Sequence, residues 1–126
     1  MKAIEYTSYG APDVLHLKDM TIPTPKPNEV LIRIRATTAT AADIMMRKGN
    51  PYIGRLYTGL KGPKRTILGF EFAGEVVETG SAVTLFKTGD KVFGGTTSLG
   101  SYAEYACVSE SDVLTTMPDN ISYAEA

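Results

Sequence analysis

The chain has 126 residues, a formal net charge of −1, 43% hydrophobic and 21% charged residues, and one cysteine. That length suits one domain able to bury its own core, and the composition is that of an ordinary globular protein, without an apolar run long enough to cross a bilayer. A lone cysteine, Cys107, excludes an internal disulfide framework and any cysteine-rich metal site.

The start, MKAIEYTSYG, lacks an apolar h-region, so a cytosolic (cytoplasmic) location is the expectation. Met1 to Tyr6 reads as a first strand, turned by Ser8-Tyr9-Gly10-Ala11-Pro12, with Val14 to Lys18 as the returning strand. Pro23, Pro25 and Pro27 make Thr21 to Pro27 an extended connector. Glu29 to Ala36 alternates, with Val30, Ile32 and Ile34 on one side and Arg33 and Arg35 on the other, as a half-buried strand does. Ala41 to Lys48 has helical composition and is stopped by Gly49-Asn50-Pro51. Asp43 and Arg47, four apart, can meet on one face of that helix. Pro51 to Arg65 reads as a long irregular stretch, a pattern usually functional or mobile.

From Thr66 to Gly95 the pattern is a strand, a glycine turn and two further strands joined by tight turns. Ala73 and Gly74 interrupt it where a side chain would stand, which signals a bulge or a backbone approaching closely. Tyr102 to Val108 and Val113 to Met117 read as two more strands. Ser122 and Glu125 have the spacing of a capping box, so a helix is expected to open there, and the chain ends inside its first turn as though cut.

Charge is unevenly spread. Residues 1–43 carry five basic and five acidic groups. Between Ile44 and Phe70 stand six basic residues and no acid, and from Glu71 on nine acids face Lys87 and Lys91 alone. A solvated loop surface accounts for the basic segment, with attraction of coenzyme phosphates as the second reading. RNA binding is remote, since stacking modules need aromatic residues fixed on a sheet face.

The run GFEFAGEVVETGSAVTLFKTGDKV resembles the signature of the medium-chain dehydrogenase/reductase superfamily, and the order and spacing of motifs agree from Lys2 to the last residue. The resemblance implies a mainly β fold, the N-terminal GroES-like, partly open β-barrel with short helices, filling residues 1–126. It also implies that the coenzyme-binding Rossmann domain lies outside this chain, which has no G-x-G-x-x-G between a strand and a helix.

A catalytic zinc needs three ligands from Cys, His, Asp and Glu. Where zinc-dependent relatives read Cys-x-Ser-Asp this chain has Thr40-Ala41-Ala42-Asp43, and their Gly-His-Glu is Gly69-Phe70-Glu71. No metal site is expected. The departure is similar to the zinc-independent, quinone oxidoreductase-like branch, whose Asn-Pro-x-Asp-x-x-x-Arg-x-Gly is matched at Asp43, Arg47 and Gly49. That branch implies hydride transfer from NADPH to a quinone or α,β-unsaturated carbonyl, with hydrogen-bond donors meeting the charge on the substrate oxygen.

Thr40 and Tyr52 are the candidate donors, with Tyr57 behind them. Thr40 also reads as a helix cap, and the tyrosines as loop packing. Asp43 with Arg47 is a structural pair or part of the lining. Glu71, on a buried strand, would need a basic partner, and Phe70 lines an apolar pocket or packs the core. Cys107 reads as a small core residue and His16 as exposed. The parent is expected to be a homo-oligomer and the chain alone a monomer or weak dimer, without turnover, nucleic acid or membrane. Two other readings stay open: a GroES-like binding or scaffold module, separable by sizing, and a zinc alcohol dehydrogenase domain, separable by metal analysis.

Overall fold

A computed structural model describes residues 1–126. Seven strands form two sheets. β1 (Lys2–Glu5) and β2 (His16–Asp19) make a two-stranded antiparallel sheet. β3 (Glu29–Thr37), β4 (Glu71–Thr79), β5 (Lys91–Gly95), β6 (Tyr105–Ser109) and β7 (Val113–Thr116) make a five-stranded antiparallel sheet in the order β6-β3-β4-β5-β7.

That order fixes the overall shape. β6 and β7 are consecutive in the chain yet occupy opposite edges of the sheet, and only Glu110, Ser111 and Asp112 join them. A link that short spans at most about 14 Å, so the sheet must curl until its edges approach one another. The result is a partly open barrel. β1 closes further against it, through bridges from Ala3 to Ala103 and from Glu5 to Ile67.

The alternation of Glu29 to Ala36 works as expected: Val30 and Ile32 are fully buried, and Arg33 and Arg35 are exposed. Both valine and isoleucine are β-branched and fit a pleated, covered surface. They pack with Phe72, Val76, Val92 and Val108 into the core, and Ile34, Val83, Phe86 and Leu114 line its margin. β3 slips register against β4 twice, between Leu31 and Ile32 and between Ile34 and Ala36. Each slip bends the strand and adds twist. Gly74 sits opposite Ile34, and a Cβ there would overlap the carbonyl oxygen of Arg33. The small residue marks a close backbone approach inside a continuous strand rather than a break.

Four sequence expectations need correction. The stretch 66–95 holds two strands, β4 and β5, and the residues before Glu71 supply only the isolated bridge at Ile67. Pro51 to Arg65 is partly regular: a 3₁₀ turn covers Tyr52–Gly54 and a four-residue helix, α2, covers Arg55–Thr58. At the C-terminus no helix forms; Glu125 donates its backbone N–H to the Ser122 carbonyl and its carboxylate accepts from Ser122 N and Oγ, a single closed turn. The return strand also starts late, because Val14 belongs to a 3₁₀ turn at Pro12–Val14. No helix is long and apolar enough to cross a membrane.

Tyr6 is 1% exposed, and its hydroxyl has no hydrogen-bond partner. Burial, with Tyr9 nearby, pushes its phenol up to about 12. A buried, unpaired hydroxyl costs roughly 1–3 kcal/mol of desolvation, whereas an apolar ring of the same shape avoids it. Tyr6→Phe is therefore expected to leave stability unchanged or to raise it by about 1 kcal/mol, read as a higher urea midpoint at constant slope. A fall of that size would show that the hydroxyl has a partner after all.

Candidate active site

Helix α1 (Ala41–Lys48) organises the residues singled out above. Thr40 is its N-cap and Asp43 its third residue, and the two close a capping box. Thr40 N and Thr40 Oγ1 donate to Asp43 Oδ2 at 2.9 and 2.8 Å, and Asp43 N donates back to Thr40 Oγ1 at 3.4 Å. Asp43 is 4% exposed, and its other oxygen, Oδ1, accepts from Gly69 N at 3.1 Å. One buried carboxylate thus ties the start of α1 to the residue just before Phe70. Gly69 has φ +103, and a Cβ on it would overlap Ser101 Oγ, so the junction requires glycine.

Arg47 does not meet Asp43. It is buried, and its Nη1 donates to the Gly10 carbonyl at 2.6 Å. The four-residue spacing allowed a pair, but a backbone carbonyl of the first turn reaches the guanidinium instead. Gly10 N in turn donates to the Arg47 carbonyl, which fastens the N-terminal turn to the end of α1.

Phe70 and Glu71 line an open cleft of about 740 Å³. Phe72, Phe93, Thr37, Thr38, Thr96, Thr97 and Asp112 line it as well. Glu71 is exposed rather than buried, and its partner is a hydroxyl rather than a cation: Thr38 Oγ1 donates to Glu71 Oε2 at 2.6 Å. Thr37 Oγ1 donates to the Glu71 carbonyl at 2.7 Å. The Tyr102 hydroxyl donates to the Thr38 carbonyl at 3.2 Å. Burial and the Asp43 carboxylate push the Tyr102 phenol up to about 12.

Thr40, Asp43, Tyr52 and Tyr57 do not line this cleft. Tyr52 and Tyr57, 73% and 87% exposed, stand on the short-helix segment after α1, and neither hydroxyl has a partner in the protein. The structure therefore joins Thr40, Asp43 and Phe70 through the Gly69 bond, and no hydrogen bond ties the two tyrosines to them. Sequence reading missed Thr37, Thr38, Ser101 and Tyr102, whose roles come from contacts 33 to 64 positions away in the chain. The doublet Thr37-Thr38 at the end of an alternating strand was the only local hint.

The donor set does not fit a catalytic zinc. Neither Thr40 nor Phe70 is a Cys, His, Asp or Glu, and nowhere do three or more such side chains come together to hold a metal ion. Cys107 lies in β6 opposite Leu31, half-buried. Burial, with Glu29 and Glu78 nearby, pushes its thiol up to about 11 from the ordinary 9.0. The thiolate is the reactive form, so Cys107 should alkylate about a hundredfold more slowly than an exposed thiol at neutral pH, followed by mass spectrometry with iodoacetamide. Labelling at the exposed-thiol rate would show that burial does not protect it.

Residues 26–119 match the alcohol dehydrogenase GroES-like domain family. The chain belongs to that family, a barrel domain of the medium-chain dehydrogenase/reductase superfamily. Quinone oxidoreductases are among the proteins it is similar to. It is 37% identical, over its whole length, to 33% of the 2-methylene-furan-3-one reductase of Solanum lycopersicum. It is 38% identical, over 99% of its length, to 36% of a quinone oxidoreductase of Pseudomonas aeruginosa. The structure of Escherichia coli quinone oxidoreductase complexed with NADPH superimposes with a TM-score of 0.85 at 30% identity, covering all of this chain and 36% of that one. The chain thus spans about a third of the length of the proteins it matches.

Proposed function

We propose that this domain forms the substrate side of an NADPH-dependent reductase of quinones or α,β-unsaturated carbonyls that works without zinc, beside a coenzyme-binding domain in the same protein. The observation that carries the reading is the buried Asp43 carboxylate, which holds Thr40 and the Gly69–Phe70 junction together where metal-dependent relatives place ligands. Relatives named as quinone, alkenal and furanone reductases support the substrate class, and the NADPH bound to the Escherichia coli enzyme supports the coenzyme.

A nicotinamide coenzyme, when bound, would supply the hydride. The chain's own task is to meet the negative charge on the substrate oxygen, and that needs a free hydrogen-bond donor. Thr40 has committed its proton to Asp43, which leaves it a framing role. The Tyr52 hydroxyl is free, with Tyr57 behind it, so Tyr52 is the donor in this reading. Phe70 presents a ring where a cation sits elsewhere and gives an electron-poor, flat substrate an apolar face. Glu71, tied to Thr37 and Thr38, fixes that wall rather than moving a proton.

The test is NADPH oxidation by the protein carrying this domain, with a simple quinone and with a chelator present. Turnover unaffected by chelation is expected, and Tyr52→Phe should lower kcat/KM about a hundred- to a thousandfold, the range for losing one oxyanion donor. Chelator-sensitive turnover, or full activity in Tyr52→Phe, would overturn the assignment.

A further inference from the structure

The geometry points to Arg55 as the positioning residue for Tyr52. This rests on the reading of Tyr52 as the donor, and it explains how a side chain so exposed is held. The Arg55 guanidinium carbon lies 4.5 Å from the centre of the Tyr9 ring and 4.4 Å from that of Tyr52. Both are stacking distances for a flat cation over an aromatic face.

One side of this arrangement is fixed. The Tyr9 hydroxyl donates to the Gly59 carbonyl at 2.8 Å and shares a hydrogen bond with Thr58 Oγ1 at 2.7 Å. Arg55 Nε donates to the Gly49 carbonyl at 3.0 Å, at the left-handed C-cap of α1. Gly49 has no room for anything larger: a Cβ there would lie 2.7 Å from both Arg55 Nε and Tyr9 Cγ. Tyr9, Gly49 and Arg55 are therefore locked together at the end of α1.

The other side is loose without Arg55. Tyr52 is 73% exposed and its hydroxyl has no partner. Its neighbours Ile53 and Leu56 are exposed as well, so they provide no packing. Nothing competes for the guanidinium, because no acid stands between Ile44 and Phe70 and no ion pair reaches Arg55. The cation therefore passes the order of the helix end to the Tyr52 ring. Lysine, a point charge without a stacking face, would do so poorly.

Ring-labelled tyrosine NMR on the protein tests this, with Tyr52 assigned among the seven tyrosines by Tyr52→Phe. In Arg55→Met the Tyr52 ring signals should move to those of a freely rotating exposed tyrosine while Tyr6 and Tyr105 stay put; Arg55→Lys should fall between. The probe for binding is duroquinone, which has no free ring position for a thiol to attack. Arg55→Met is expected to weaken its binding about tenfold, the scale of one cation–π contact; Tyr52→Phe, which keeps the ring and loses only the hydroxyl's hydrogen bond, should weaken it by about the same factor, and the double variant should be no weaker than either. A Tyr52 signal unmoved in Arg55→Met, or losses that add in the double variant, overturns the proposal. If Tyr52→Phe binds duroquinone as the natural chain does while Arg55→Met still frees the ring, Arg55 keeps its role and the donor reading of Tyr52 is the part that fails.

Discussion

Valine at position 74 should destabilise the fold by more than about 3 kcal/mol, or roughly 10–15 °C in Tm for a chain of this size. Gly74 lies in β4, the central strand, paired with Ile34 on one side and Val92 on the other. An added Cβ would overlap the Arg33 carbonyl oxygen and lie 2.8 Å from Ile32 Cγ2. The obstacle is backbone, so no change of rotamer relieves it, and β3 would have to part from β4 where both are hydrogen-bonded. Overpacking by side chains alone costs about 1–3 kcal/mol, and here the ladder loses as well. Domains of this kind hold only about 5–15 kcal/mol in total. Thermal unfolding by circular dichroism reads the effect. A loss below about 1 kcal/mol would mean that the strands do not approach as closely as described.

Asp43→Ala should lower stability by about 3 kcal/mol, with the loss located at α1. The carboxylate accepts from Thr40 N, Thr40 Oγ1 and Gly69 N, and it is 4% exposed. Losing the cap costs about 1 kcal/mol. Leaving the buried Gly69 N–H without an acceptor costs about 1–3 kcal/mol more. Asp43→Asn should recover part of this, since one oxygen remains, but its NH₂ would face a donor. Hydrogen exchange gives the local readout: the Gly69 amide should lose its protection in Asp43→Ala, while Val76 in the core keeps its own. Unchanged protection at Gly69 would refute the link between α1 and Phe70.

The parts that could be read from residues alone are those set by a local period. Val30, Ile32 and Ile34 announced a strand with one covered face because a pleated strand alternates every second residue. Gly74 announced a close approach because only glycine leaves that space. Ala41 to Lys48 forms the expected helix with Thr40 as its cap, since the cap and its acceptor are three residues apart. What the residues alone could not show depended on distant partners. Arg47 and Asp43 had the right spacing for a pair, and a carbonyl 37 residues away took the arginine. Glu71 was expected to be buried beside a cation and is exposed beside a threonine. The turns at Tyr52–Gly54 and Arg55–Thr58 are too short to leave a periodic trace. Of the site, Thr40 and Phe70 were visible only against relatives that carry ligands there, and the Tyr9–Arg55–Tyr52 stack spans 46 positions and left no mark at all.

The three-residue link between β6 and β7 has a bearing on how this protein behaves when concentrated. A flat sheet with the same strands would offer two separate rows of unmet amides to any passing copy, the usual start of fibril growth. Curling sets those rows side by side at one corner and leaves outer strands of only five and four residues. A templating neighbour finds little to add to there.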